Sequence, residues 1–187
     1  MISSFIYGLT IFSLGASWIF NSIYIYGNAG IVISFIITLI FILMQSSYFL
    51  IIGFFVNRDY FEHTNIFSML APASFLVLVE FIRSYFFTGF PWLIIGYSQI
   101  HTIFNSMYPL FGSYFVSFIT VFISTFLATM FVYKKKSIHN KPILISIILI
   151  LAIFQYNKSW VEDSNEIFSF AIIQPIIKQN EKFKASN

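Results

Sequence analysis

Ile31 to Val56 reads IVISFIITLIFILMQSSYFLIIGFFV, and not one of its residues carries a charge. An α-helix rises about 1.5 Å per residue and the hydrocarbon core of a bilayer is roughly 30 Å thick, so about 20 apolar residues suffice to cross it. In hydrocarbon every backbone N–H and C=O must be paired within the segment, which makes a long uncharged run a helix. The run stops at Asn57, Arg58 and Asp59, where a polar loop begins that reaches Asn65.

Four more apolar runs lie on either side of it. The first extends from about Phe5 to Tyr24, with Trp18, Tyr24 and Tyr26 as the aromatics expected at a membrane and water boundary, and Gly27 to Gly30 as a short turn. No basic residue precedes it, so it reads as a span rather than a secretory signal. The third covers about Ile66 to Phe87 and is broken by Gly89 and Pro91, since proline lacks a donor and fixes its own φ. The fourth runs from about Met107 to Tyr133 and stops at Lys134, Lys135 and Lys136. The fifth, Pro142 to about Tyr156, is short; it extends toward Trp160 or sits where the bilayer is thin. After the polar stretch Lys158 to Glu166, Ile167 to Ile173 has the length of a buried strand, and Lys178 to Asn187 is a polar tail. The expected fold is therefore an all-α integral membrane helix bundle of about five transmembrane helices, followed by a first strand.

Composition agrees. The 187 residues are 58% hydrophobic, 21% aromatic and 9% charged, where a soluble domain carries roughly 25% charged residues. Twenty-six phenylalanines would leave a soluble monomer with exposed patches far above the few hundred Å² it tolerates. The net charge of +3 comes from a few clustered lysines and argues for membrane orientation, not for nucleic acid. Arg58 lies after the second span and Lys134, Lys135, Lys136 and Lys141 after the fourth, so alternate crossings put both loops on one side. The positive-inside tendency makes that side cytoplasmic. Gly27 to Gly30, Thr88 to Ser106 and everything after Trp160 then face outward.

Chemistry-bearing residues are few. Glu80 and Arg83 fall inside the third span, three positions apart on one helical face. Ionisable groups at membrane depth are costly and turn toward the bundle interior or an aqueous cavity. The pair reads either as an internal ion pair that fixes helix packing or, for Arg83, as a holder of an anionic lipid head group near the outer surface. Thr88 to Gln99, TGFPWLIIGYSQ, is amphipathic, aromatic and interrupted by glycine and proline. It suits a surface-lying or re-entrant segment, with plain interfacial anchoring as the simpler reading. His63, His101 and His139 lie in expected loops without the spacing of a helical metal site, so neither a metal nor a cofactor is expected. No Gly-rich phosphate loop or G-x-S-x-G elbow occurs. There is no cysteine, hence no disulfide and no thiol nucleophile in these residues.

Glu80, Arg83 and then Thr88 to Gln99 form E-x-x-R-x-x-x-x-T-G-F-P-W-L-x-x-G-Y-S-Q, followed by Pro109, Leu110 and Gly112. The pattern resembles the signature of the membrane domain of apolipoprotein N-acyltransferases. Gly15, Ser17, Trp18 and Ile19, with Ser22, Ile23, Tyr26 and Gly27, resemble that family's early Gly-x-x-Trp-Val segment. Ile173, Gln174, Pro175 and Gln179 resemble the stretch that opens its nitrilase-like domain. Ile176 departs where the family has Asn or Asp, and Phe183 where a tryptophan stands.

The resemblance implies transfer of an acyl chain from a phospholipid to the lipidated N-terminal cysteine of an apolipoprotein at the outer face of the bacterial inner membrane. It implies too that a Glu, Lys, Cys set in a nitrilase-like α/β domain performs the chemistry through a thioester. Residues 1–160 would be the transmembrane domain, and 161–187 a linker and the start of that catalytic domain, truncated. The chain is expected to be inactive alone, and a separately encoded nitrilase-like domain is a possible partner. Glu80, Arg83, Gly89, Phe90, Pro91, Trp92, Tyr97 and Gln99 are the candidates for contact with lipid or substrate. The alternative from another class is a non-enzymatic membrane scaffold or transporter-like subunit.

Overall fold

A computed structural model describes residues 1–56, 66–132 and 169–174. Helix α1 (Ile2–Gly15) breaks at Ala16 to Trp18 and resumes as α2 (Ile19–Asn21), which runs into a π-helical turn over Ser22–Tyr26. Helices α3 (Ile31–Ser47) and α4 (Phe49–Phe55) are separated only by Tyr48. Helix α5 (Ile66–Tyr85) contains Pro72, and α6 (Tyr108–Val132) is turned at Gly112. Between α5 and α6 lie three short 3₁₀ turns, Phe86–Thr88, Ile95–Gln99 and Asn105–Met107.

Three stretches among the described residues are long and apolar enough to cross a membrane: Ile31–Phe55, Met69–Thr88 and Asn105–Thr129. A fourth arises if Ile2–Gly15 and Ile19–Tyr26, bent by 52°, count as one span. The expected second, third and fourth spans thus have direct counterparts, whereas the first is bent instead of continuous. The expected fifth span lies outside the described residues, as do the loop from Asn57 to Asn65 and the lysine cluster. Of the expected strand, residues 169–174 carry no regular secondary structure, and Ile167 and Phe168 are not described.

Helix α3 explains how such a bundle packs. Its buried residues are Ser34, Thr38, Ile42, Gln45 and Ser46, while Ile33, Phe35, Ile36 and Ile40 point outward. Lipid is as apolar as the isoleucines, so small residues that permit close backbone approach belong inside. The hydroxyls are satisfied one turn back: Ser34 Oγ donates to the Gly30 carbonyl at 2.7 Å, Thr38 Oγ1 to Ser34 at 2.8 Å and Ser46 Oγ to Ile42 at 2.7 Å. Phe12, Ala16, Ile42, Phe49, Leu76 and Val79 join α1, α3, α4 and α5 in one core. Met69 and Ala73, early in α5, meet Phe122 and Phe126, late in α6, so these two helices run antiparallel. Both therefore end or begin at the segment 86–107, which closes one end of the bundle.

Candidate functional site

Residues 86–99 cannot continue α5 as a helix. Phe87, Thr88 and Leu93 have φ of 50°, 69° and 60°, and Gly89 has 78°. Left-handed backbone at three non-glycine residues costs about 1–3 kcal/mol each and persists only where surrounding contacts over-determine it. Those contacts come from α5 and α6. Arg83 Nη1 donates to the Phe90 carbonyl at 2.7 Å and the Trp92 carbonyl at 2.5 Å, and the Phe90 N–H returns to the Arg83 carbonyl at 2.9 Å. Glu80 Oε1 accepts from the Ile95 N–H at 2.8 Å. Ser117 Oγ, on α6, accepts from the Gly96 N–H at 2.7 Å, and the Tyr108 hydroxyl donates to the Gly96 carbonyl.

Glu80 and Arg83 are each 2% exposed. Their hydrogen bonds run to the loop backbone rather than to each other, so the loop is strung between two opposite charges on a single turn of α5. The second carboxylate oxygen of Glu80 and Arg83 Nε are buried without a hydrogen-bond partner. Arg83 gains instead from the Phe12 ring, whose centroid is 5.2 Å from Cζ, a cation–π contact that strengthens where water is excluded.

Two glycines make this approach possible. A Cβ on Gly96 would collide with the Ser113 carbonyl oxygen of α6, so only glycine lets the loop lie this deep. At Gly89 the positive φ and the adjacent Ser84 carbonyl oxygen exclude a side chain in the same way. The loop also reaches the break in α1. Leu93 packs on Gly15, where an added Cβ would lie 2.6 Å from Leu93 Cδ1, and the Trp18 and Trp92 rings stand 5.0 Å apart. Phe90 stacks on Trp92 at 5.8 Å and meets Phe41 edge-on at 4.9 Å.

Of the candidates expected from sequence, Glu80, Arg83, Gly89, Phe90 and Trp92 meet here. Pro91 sits exposed at the tip, Tyr97 presents its ring outward at 49% exposure, and Gln99 donates only to the neighbouring Ser98 hydroxyl at 2.8 Å. Sequence reasoning missed Phe12, Tyr108 and Ser117. Nothing local distinguishes Ser117 from the other hydroxyls of α6, because its importance lies in facing Gly96. Among the described residues, no group of three or more His, Cys, Asp or Glu side chains is placed to hold a metal.

Residues 1–126 match the family model of the apolipoprotein N-acyltransferase N-terminal domain. The chain belongs to the apolipoprotein N-acyltransferase family. The Coxiella burnetii (strain RSA 493 / Nine Mile phase I) apolipoprotein N-acyltransferase is 35% identical over 151 residues, which cover 78% of this chain and 30% of the relative. That of Pasteurella multocida (strain Pm70) is 30% identical over 141 residues, 72% of this chain and 26% of the relative. That of Haemophilus influenzae (strain ATCC 51907 / DSM 11121 / KW20 / Rd) is 28% identical across 98% of this chain and 35% of the relative. The chain thus spans about a third of the length of the apolipoprotein N-acyltransferases it matches. Every contact of the loop described above lies inside the matched N-terminal domain. The two segments that carry the resemblance, around Gly15 to Gly27 and Glu80 to Gln99, touch each other through Gly15 with Leu93 and Trp18 with Trp92.

Proposed function

We propose that this chain is the membrane domain of an apolipoprotein N-acyltransferase and that its 86–99 segment presents a phospholipid acyl donor to a nitrilase-like catalytic domain. The observation that carries this reading is the fastening of an irregular loop by Glu80, Arg83 and Ser117 while the Trp92 and Tyr97 rings remain 54% and 49% exposed. Rigid, half-exposed aromatic rings at a membrane boundary suit the glycerol and upper acyl region of a lipid. In this scheme Trp92, Tyr97, Gln99 and the Pro91 tip meet the lipid, with Phe90 and Gly89 shaping the surface behind them. Arg83 and Glu80 act as positioning residues, because their polar atoms are turned to the loop.

Residues 1–160 form the membrane bundle and 161–187 lead toward the catalytic domain in this reading. The positions of Arg58 and Lys134 to Lys136 support an inner-membrane orientation with 86–107 and the C-terminal residues on the outer side. The apolipoprotein, with its lipidated N-terminal cysteine, arrives at that face. A thioester mechanism needs a thiolate, a base and a cation near the oxyanion. These 187 residues contain no cysteine, so the nucleophile comes from residues outside them, on the same polypeptide or another, and they do not perform acyl transfer alone.

Complementation of a strain depleted of its own N-acyltransferase tests this. The 187-residue chain alone should not restore growth, and the chain with the nitrilase-like domain encoded by the DNA that follows it should. Rescue by the chain alone would overturn its inactivity. No rescue by an expressed, membrane-inserted pair would sink the acyltransferase reading.

A further inference from the structure

Helix α1 ends at Gly15, and the last carbonyls of a helix must find donors other than the next turn of backbone. In a continued helix the Ile19 N–H would bond to the Gly15 carbonyl; it goes instead to Ala16, at 3.1 Å. Side chains cap the end: Ser17 Oγ donates to the Leu14 carbonyl at 3.4 Å and Trp18 Nε1 to the Gly15 carbonyl at 3.1 Å. The single donor of the Trp18 indole is thereby spent on its own helix end, which fixes the ring against the break. Gly15 and Trp18 stand three residues apart, and two consecutive loop residues lie on them. Leu93 packs on Gly15, and the Trp92 ring stands 5.0 Å from the Trp18 ring with 32° between their planes.

The main chain and the side chain of Trp92 are held from different directions. Its carbonyl accepts from Arg83 Nη1, so α5 fixes the backbone. Its ring stacks on Phe90 at 5.8 Å, but Phe90 belongs to the same loop. Trp18 is the ring partner that comes from a helix. A half-exposed indole braced only by its loop neighbour could change rotamer without moving the backbone that Arg83 holds. We infer that Trp18 is a positioning residue: from the broken end of α1 it fixes the Trp92 side chain, and through it the place where the loop meets a phospholipid acyl donor. The bracing of Trp92 stands on this geometry alone, whereas its consequence for the acyl donor rests on the reading of 86–99 as a lipid-presenting surface.

The test uses the full chain in nanodiscs of phosphatidylethanolamine and phosphatidylglycerol. The chain has three tryptophans, so Trp160→Phe combined with Trp18→Phe or Trp18→Leu leaves Trp92 as the sole indole. Time-resolved anisotropy should show a restrained Trp92 in the phenylalanine variant, which keeps a ring at position 18, and loss of that restraint in the leucine variant. Protease resistance between residues 89 and 96 should be the same in both, because Arg83 still holds the backbone. Equal anisotropy in the two variants would overturn the inference, and so would a loop opened to protease in Trp18→Leu, which would make Trp18 general packing. Should the leucine variant fail to insert, circular dichroism decides. Trp160→Phe alone should give an indole couplet that vanishes on adding Trp18→Phe, and its absence overturns the contact. For the acyl donor, the chain is paired with the nitrilase-like domain. Trp18→Leu should raise KM for phospholipid with kcat unchanged, and Trp18→Phe should restore it. An active pair whose KM ignores Trp18→Leu would overturn the role in lipid placement. An inactive unsubstituted pair would sink the acyltransferase reading instead, and the anisotropy result would still decide the bracing of Trp92.

Discussion

Helix α3 and the segment 86–99 bury polar groups in opposite ways. In α3 every buried hydroxyl donates to a carbonyl four residues earlier on the same helix. In 86–99 the polar groups are the backbone itself, and their partners stand far away in sequence: Arg83 for the carbonyls of Phe90 and Trp92, Glu80 for the N–H of Ile95, Ser117 for that of Gly96. The first arrangement is local and redundant, since each helical carbonyl keeps its own backbone N–H when the hydroxyl is removed. The second has no substitute, because Glu80, Arg83 and Ser117 are buried where water cannot replace a lost partner. A membrane protein can therefore spread serine and threonine freely along a buried helix face, yet depends on a few side chains wherever its backbone leaves the helix.

Arg83→Met should separate the two regions most. It leaves two loop carbonyls unpaired and the Glu80 charge without its counterpart, a loss of about 3–5 kcal/mol for breaking a buried charged arrangement on one side. Thermal unfolding in detergent micelles would read the loss, and limited proteolysis between residues 89 and 96 would place it. Gly96→Ala comes next, because its Cβ collides with the Ser113 carbonyl; overpacking of this kind costs about 1–3 kcal/mol. Displacement of the loop should also separate Trp92 from Trp18, observable as a shift in tryptophan emission. An unchanged emission spectrum together with unchanged stability would contradict the depth assigned to Gly96.

Ser117→Ala removes the partner of one buried N–H and should cost about 1–2 kcal/mol. Ser34→Ala makes the same chemical change in α3 and should cost well under about 1 kcal/mol, since the Gly30 carbonyl retains the Ser34 N–H at 3.1 Å. Equal losses for the two serines would erase the contrast between local and distant satisfaction. Thr38→Val is expected to be the smallest change, within about 0.5 kcal/mol of wild type, as methyl replaces a hydroxyl already spent on its own helix.

Much of the fold was legible from the chain. Hydropathy is summed over neighbours in sequence, so three spans and the boundary at Gly89 and Pro91 emerged close to their observed limits. The bend in α1 did not, because Ala16 to Trp18 contains no proline; a loop from elsewhere packs into the break, with Leu93 on Gly15 and Trp92 beside Trp18. At the site, the spacing of Glu80 and Arg83 placed both on one face of α5, but it suggested that they pair with each other or with a lipid. Instead both turn to the loop, a preference that arises only once the unpaired carbonyls and N–H groups of 90–96 have been brought beside them.

The membrane as solvent, the helical runs and the family are properties of local order along the chain, where each residue contributes through its own hydropathy or its place in a motif. The dependence of the 86–99 loop on Arg83, Glu80 and Ser117 is different in kind. It rests on contacts between residues 80 and 95, 83 and 92, 96 and 117, and such contacts exist only after α5 and α6 have packed and the backbone between them has sought partners that lipid cannot supply.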